Sequence, residues 1–215
     1  MEKSSKPVFV VKAKRKTKKR SRKVKNTLFK PIPQTMNVMI RGRTYDSLTA
    51  TSSPVFNRCG ITQFFGRGGS YTDSLFGLYR FASVKAVKLT AKVVNTGTEP
   101  LILAIAQVPY DWTSGSPTLS ELLDQPFARK TVAGSSTGKD TAQLTISTTV
   151  AKALGNEFQA SRYIMNAATA SSGVSDNDQP VYVTGLSAFN ASTAISCRIE
   201  YEVEWHVTFF SLDSV

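Results

Sequence analysis

An all-β fold, an antiparallel jelly-roll sandwich of about eight strands behind a disordered basic N-terminal arm, is what this 215-residue chain predicts. Three observations predict it. Apolar residues recur with period two in short segments separated by Gly, Pro, Asn, Asp and Ser clusters, the pattern of half-buried strands. One short stretch carries a complete helix signal. Lys and Arg gather at one end: residues 1–30 hold 13 of the 27 basic residues and one of the 15 acidic ones, leaving 14 of each elsewhere. The net charge of +12 is therefore the charge of that end.

Residues 12–25 read KAKRKTKKRSRKVK, with ten Lys or Arg in fourteen positions. A run of like charge with almost no apolar surface repels itself and is expected to stay disordered until it meets a polyanion. A phosphate backbone fits, because each neutralised phosphate releases a condensed counterion whatever the base sequence. The candidate nucleic-acid-binding residues are Lys12, Lys14, Arg15, Lys16, Lys18, Lys19, Arg20, Arg22, Lys23 and Lys25. No aromatic residue lies among them, so base stacking is not expected there. The segment KRKTKKR, residues 14–20, also resembles a nuclear localisation signal, which would add nuclear import receptors as partners of the same side chains. The plainer reading of a basic run is a solvated tail.

Residues 1–25 are thus an arm, and residues 26–36 a linker in which Pro31 and Pro33 favour extended backbone. Residues 37–215 are long enough for one domain with its own core. Strands are expected over residues 38–50 and 78–94. In the second of these Val87, Leu89, Ala91 and Val93 face inward and leave Lys88 and Lys92 on the polar side. The aromatic-rich stretch from Phe64 to Phe81, with GRGG at 66–69, reads as strand and loop packing. Pro100 opens residues 101–108, which are apolar on both parities and so belong in the middle of a sheet covered on both faces.

Thr118 can cap a short helix, with Glu121 three residues on, Leu119, Leu122 and Leu123 on one face, and Pro126 as its stop. Ala142, Leu144, Ile146, Thr148 and Val150 alternate with polar residues, and a further helical turn is expected after Val150, ended by Gly155. Residues 162–168 and 181–189 are two more candidate strands. The last strand is the clearest: Ile195, Cys197, Ile199, Tyr201, Val203, Trp205, Val207 and Phe209 share one parity, and Arg198, Glu200, Glu202, Glu204, His206 and Thr208 the other. Three glutamates in one row repel unless cations stand opposite. Lys88 and Lys92 are the expected source.

Several chemistries are excluded. The longest apolar run falls far short of the roughly 20 residues of a membrane span, and no membrane partner is expected. The N-terminus lacks the apolar core of a secretory signal, so the mature chain is expected to begin at Met1. Cys59 and Cys197 are then expected to be reduced, buried small residues, and Asn190-Ala191-Ser192, a glycosylation pattern, would need secretion to matter. The single histidine, His206, sits on a polar strand face, which argues against a Ser-His-acid triad. GRGG does not match a dinucleotide fingerprint, and residues 134–139 have neither the spacing nor the Ser or Thr of a P-loop. No Cys/His cluster has zinc spacing. No enzyme activity, cofactor or metal is expected. The loop Tyr110-Asp111-Trp112 puts Tyr110 and Trp112 forward as a subunit contact, since Trp and Tyr are enriched at interface centres; the alternative is that Trp112 folds back onto its own barrel.

The order of several short motifs carries a resemblance. A Lys/Arg-rich arm precedes the body; Tyr79-Arg80-Phe81 leads into VKAVKL at 84–89; Asn95-Thr96-Gly97 and Pro100 turn the chain; Val108-Pro109-Tyr110-Asp111 closes the next strand. LLDQPFARK at 122–130, Lys152 to Gly155, and residues 199–210 follow in turn. In this layout the chain resembles the single jelly-roll capsid proteins of small icosahedral viruses, most nearly those of circular single-stranded DNA viruses and of small positive-strand RNA viruses and satellites. The resemblance implies a homo-oligomeric shell, a single-stranded DNA or RNA genome packaged by the arm, and residence in the virion, with assembly in the host nucleus for a DNA genome and in the cytoplasm otherwise. The Lys-rich arm departs from the Arg-dominated arms of the best-known small circular DNA viruses, so the genome type stays open. Asp176 and Asp178 offer hard oxygen ligands of the kind that similar shells use for calcium, although a solvated turn is the plainer reading. Two other readings remain: a cellular nucleic-acid-binding protein of ribosomal or chromatin type, and a sugar-binding or enzymatic jelly roll.

Overall fold

The computed structural model of the chain describes residues 32–51, 53–61, 64, 67–109, 112, 117–134, 139–150, 152, 164–166, 181–190 and 193–212, without the side chains of 50, 51, 67–70 and 212. Eight strands and two helices run through these residues: β1 (Thr35–Thr51), β2 (Val55–Gly60), α1 (Arg67–Phe76), β3 (Tyr79–Asn95), β4 (Leu101–Val108), α2 (Leu119–Leu123), β5 (Arg129–Ala133), β6 (Thr141–Thr149), β7 (Val181–Ala188) and β8 (Ile195–Leu212).

The pairing follows one rule. β1 pairs with β8, β2 with β7, β3 with β6 and β4 with β5, all antiparallel. Each pair is a rung further along one antiparallel ribbon, with strand numbers that sum to nine. The ribbon is rolled up, and the β3–β8 and β4–β7 pairings close it into two four-stranded sheets, ordered β1-β8-β3-β6 and β2-β7-β4-β5. This is the jelly roll expected from the sequence.

The alternation of β8 fixes which side of its sheet is core. Ile195, Cys197, Ile199, Tyr201, Val203, Trp205, Val207 and Phe209 are all buried, and Trp205 and Phe209 are among the largest side chains fully removed from solvent. They meet Leu101, Leu103 and Ile105 of β4 and Leu186 of β7 in the main core; each large apolar side chain buried there stabilises by roughly 1.5–3 kcal/mol. β4 and β7 occupy the middle of their sheet, and β7 is buried at every position. The both-parity reading of residues 101–108 is met: Leu101, Leu103 and Ile105 point into the main core, while Ala104, Ala106 and Val108 form a second cluster with Leu122 of α2.

Five expectations need correction or completion. Residues 67–76 are helical rather than loop or strand: Thr72, Leu75 and Phe76 are buried on one helix face, and Phe76 packs edge-on to Phe209 at 5.3 Å. Two glycines among its first three residues and an otherwise polar sequence hide this face from a periodicity search. β2 and β5 are strands that the alternation did not single out; both are edge strands, short and interrupted by charge. Cys59 is half-buried rather than buried, whereas Cys197 is buried; both are free thiols. Of residues 162–168 only 164–166 are described, and Met165 bridges Ala82 there outside the named strands. The helix after Val150 is described at Val150 and Lys152, while Gly155 lies outside the described residues.

The turn foreseen at Asn95-Thr96-Gly97 is held by one side chain. Asn95 donates through its amide nitrogen to the carbonyls of Glu99 at 2.7 Å and Ala133 at 3.0 Å, and its amide oxygen accepts from the Gly97 N–H at 2.9 Å. Gly134 closes against this turn, where a Cβ would stand 2.8 Å from Pro100 Cα. The α2 capping box is also present, with Thr118 Oγ1 accepting from the Glu121 N–H and Glu121 accepting from the Thr118 N–H.

Candidate nucleic-acid and subunit surfaces

The outer face of the sheet β1-β8-β3-β6 is built in rows, because antiparallel register puts one residue of each strand side by side. One row is Arg41, Glu204, Lys88 and Ser147; the next is Arg43, Glu202, Thr90 and Thr145; the third is Tyr45, Glu200, Lys92 and Gln143. Each of the three glutamates of β8 thus stands beside a cation, and Glu204 has one on either side. Arg41 bridges Glu204 at 2.8 Å, Lys88 bridges the other oxygen of Glu204 at 3.1 Å, and Arg43 bridges Glu202 at 3.1 Å. Lys88 does what the sequence suggested. Lys92 stands opposite Glu200 in register, but among the described residues it forms no salt bridge. The two arginines of β1 complete the set, and they were not foreseen because Gly42 between them gives no inward-facing apolar signal.

This geometry sets the charge states. The hydrogen bond from Lys88 holds the Glu204 carboxyl below the ordinary carboxylate range, with the charges of Lys88 and Arg41 adding to it against the cost of desolvation. Hydrogen bonding to Glu202 raises Arg43.

The outer face of the other sheet is covered. α2 lies over β4 and β7, and Leu119, Leu123, Phe56, Ala128 and Trp112 pack around Leu122, Val181 and Val183. Trp112 is half-buried, its ring edge-on to Phe56 with centroids 5.7 Å apart and planes at 78°. Tyr110, its proposed companion, lies outside the described residues, as do the ten basic residues of the arm from Lys12 to Lys25 and the pair Asp176 and Asp178.

Between the sheets, at the β1 and β2 edge, a cavity of about 140 Å³ is lined by Thr44, Asn57, Arg58, Cys59, Leu89, Thr184 and Tyr201. Three of its polar side chains bond to one another: the Tyr201 hydroxyl accepts from Asn57 Nδ2 at 2.7 Å and from Thr184 Oγ1 at 3.1 Å. Burial pushes the Cys59 thiol up to about 12 and the Cys197 thiol up to about 11, so neither is poised as a nucleophile. Among the described residues no group of three or more His, Cys, Asp or Glu could hold a metal ion, and no helix is long and apolar enough to cross a membrane.

No protein-family model matches the chain, and no curated protein matches it. Solved structures do. Desmodium yellow mottle tymovirus is matched over 100% of both chains at 17% identity with a TM-score of 0.39. The decameric BFDV capsid protein is matched over 81% of this chain and 99% of its own at 8% identity, TM-score 0.48. Cocksfoot mottle virus is matched over 98% of both chains at 12% identity, TM-score 0.47. The jelly-roll assignment itself stands on the strand pairing of this chain.

Proposed function

We propose that this chain is a viral capsid protein whose jelly-roll body self-assembles into a closed shell and whose basic segment, residues 12–25, packages a single-stranded genome. The observation that carries the reading is the separation of charge: 13 of 27 basic residues and one of 15 acidic ones in residues 1–30, against a body with 14 of each. A neutral body adds little self-repulsion when many copies close together, and each arm adds net positive charge to the side it occupies. A polyanion there offsets the repulsion between arms and raises the effective concentration of subunits along its length.

Counterion release makes such packaging indifferent to base sequence and steeply dependent on salt. The same segment could engage nuclear import receptors before assembly, as its likeness to a localisation signal suggests, and the virion is the final location in this reading. The body's role is structural, with no catalytic step assigned.

The test is size exclusion of the full-length protein with light scattering and absorbance at 260 and 280 nm on the same peak. A megadalton species rich in nucleic acid is expected. A monomer or dimer that merely carries nucleic acid would replace this reading with a cellular nucleic-acid binder. Removing residues 1–30 is expected to abolish the co-purifying nucleic acid.

A further inference from the structure

A second groove lies on the outer face of the β1-β8-β3-β6 sheet, toward the start of β1. Its volume is about 320 Å³, and Asn37, Met39, Lys85, His206 and Thr208 line it together with Val38 and Val207. A β-bulge builds it. In the β3–β8 register Val84 faces Val207 and Ala86 faces His206, so Lys85 is the inserted residue with no partner of its own. Bulges of this kind bend a strand and re-aim a side chain. Here the bulge delivers an exposed lysine to the groove wall.

One hydrogen bond leaves Asn37 facing it as a donor. Thr208 Oγ1 donates to Asn37 Oδ1 at 2.7 Å, which occupies the amide oxygen of Asn37 and leaves its NH2 as the group available to a ligand. Among the described residues Lys85 forms no salt bridge, unlike Lys88 three positions on. Among the described residues no carboxylate lines the groove. The nearest on its strand, Glu204, is held by Arg41 and Lys88. The contrast with the groove at the other end of the same face is direct: there Lys92 and Arg198 are accompanied by Asp46 and Glu200, and the charges balance. An ammonium, an amide NH2 and an imidazole around one concavity make a site for a phosphate oxygen cluster.

We propose that this groove is a phosphate subsite for the backbone of a single-stranded nucleic acid, held by Lys85, Asn37 and His206. The choice of nucleic acid over other phosphates rests on the function proposed above. Asn37 is only twelve residues after Lys25, within reach of one stretch of the same strand at up to roughly 3.4 Å per residue. The site adds a structured contact on the body to the electrostatic contacts of the arm, and so fixes where on the subunit the strand runs.

The experiment measures binding of a fluorescent single-stranded oligonucleotide to full-length subunits across a salt series, with thermal unfolding checked for each variant. Lys85→Gln is expected to weaken binding severalfold and to lower the slope of log K against log salt by about 0.7, the loss of one phosphate contact. Asn37→Asp, which keeps an acceptor for Thr208 but places a carboxylate in the groove, is expected to weaken binding at least as much. Lys92→Gln, the same charge change on the same face, is expected to do less. Equal losses from Lys85→Gln and Lys92→Gln would reduce the groove to part of a general positive field and overturn the site, and so would an Asn37→Asp protein that binds like wild type. Gln at Lys16, Lys18, Lys19 and Arg20 tests the arm separately: if that variant binds normally while Lys85→Gln does not, the arm's role falls and the groove stands.

Discussion

Gly185 of β7 lies directly beneath Leu122 of α2: a Cβ on Gly185 would stand 2.8 Å from Leu122 Cδ2, and 3.0 Å from Leu119 Cδ1 and from Phe56 Cε1. The absence of a side chain lets α2 sit flat on the sheet and seal its outer face. Leu122 is fully buried, so it has little room to retreat. Gly185→Ala is therefore expected to destabilise the subunit by about 1–3 kcal/mol, the usual cost of overpacking, seen as a lower denaturant midpoint with unchanged slope. Adding Leu122→Ala should recover part of that loss in a double-mutant cycle. Simple additivity would show that the close approach is not what makes glycine necessary.

Glu204 gives a prediction at acid pH. Its folded carboxyl lies below the ordinary value, taken as 4.5, so the stability it contributes is complete above that value and is lost as pH falls through the lower folded one. The Arg41 and Lys88 side chains are about half exposed, at 56% and 45%, which limits the effect by solvent screening. Glu204→Gln should cost about 1 kcal/mol or less at pH 7, and the two proteins should draw together as pH falls below 4.5 and through the lower folded value. A difference that does not shrink at all on acidification would mean the carboxyl acts through packing instead of charge.

The parity of β8 was legible residue by residue, because eight apolar side chains in strict alternation leave only one way to face a core. The need for cations opposite its glutamates was legible too, and Lys88 answered it. Arg41 and Arg43 were not, since their strand interrupts the apolar pattern with Gly42 and since sequence does not say which strands are neighbours. α1 was hidden by Gly68 and Gly69, and β2 and β5 by brevity and charge at a sheet edge. The groove at Lys85 depends on a bulge that moves the buried parity of β3 from Ala82 and Val84 to Val87 and Leu89, a change of phase that sequence carries without saying that Asn37 and His206 stand beside it. The charge density of residues 12–25, by contrast, is a property of sequence alone and needs no tertiary partner to be recognised.

At alkaline pH four acids, three buried and Cys59 half-buried, act together. Burial raises Cys59, Cys197, Tyr182 and Tyr201, the last against hydrogen bonds from Thr184 and Asn57. Folded values above unfolded ones mean stability that is complete below the unfolded thiol value of about 9 and drains as pH rises beyond it. Thermal midpoints should therefore hold between pH 7 and 9 and then fall steeply. Both thiols should react slowly with iodoacetamide at pH 8 in the native protein and rapidly in denaturant. Fast native labelling of Cys59 would show that its sulfur opens to solvent through the inter-sheet cavity.

Trp112 can be asked which of two partners it serves. Its edge-on contact with Phe56 contributes about 0.5–1.5 kcal/mol beyond the area it buries, so Trp112→Ala and Phe56→Ala should each lower subunit stability, with a coupling of that size between them. Phe56→Ala removes the same contact from the barrel side and leaves the loop intact. If Tyr110 and Trp112 also meet a neighbouring subunit, Trp112→Ala should reduce shell yield in light scattering well beyond Phe56→Ala, and Tyr110→Ala should reduce it with little change in subunit stability. Shell yields that simply track the stability of the three variants would assign Trp112 to its own barrel alone, since a contact between subunits must lower assembly more than it lowers folding.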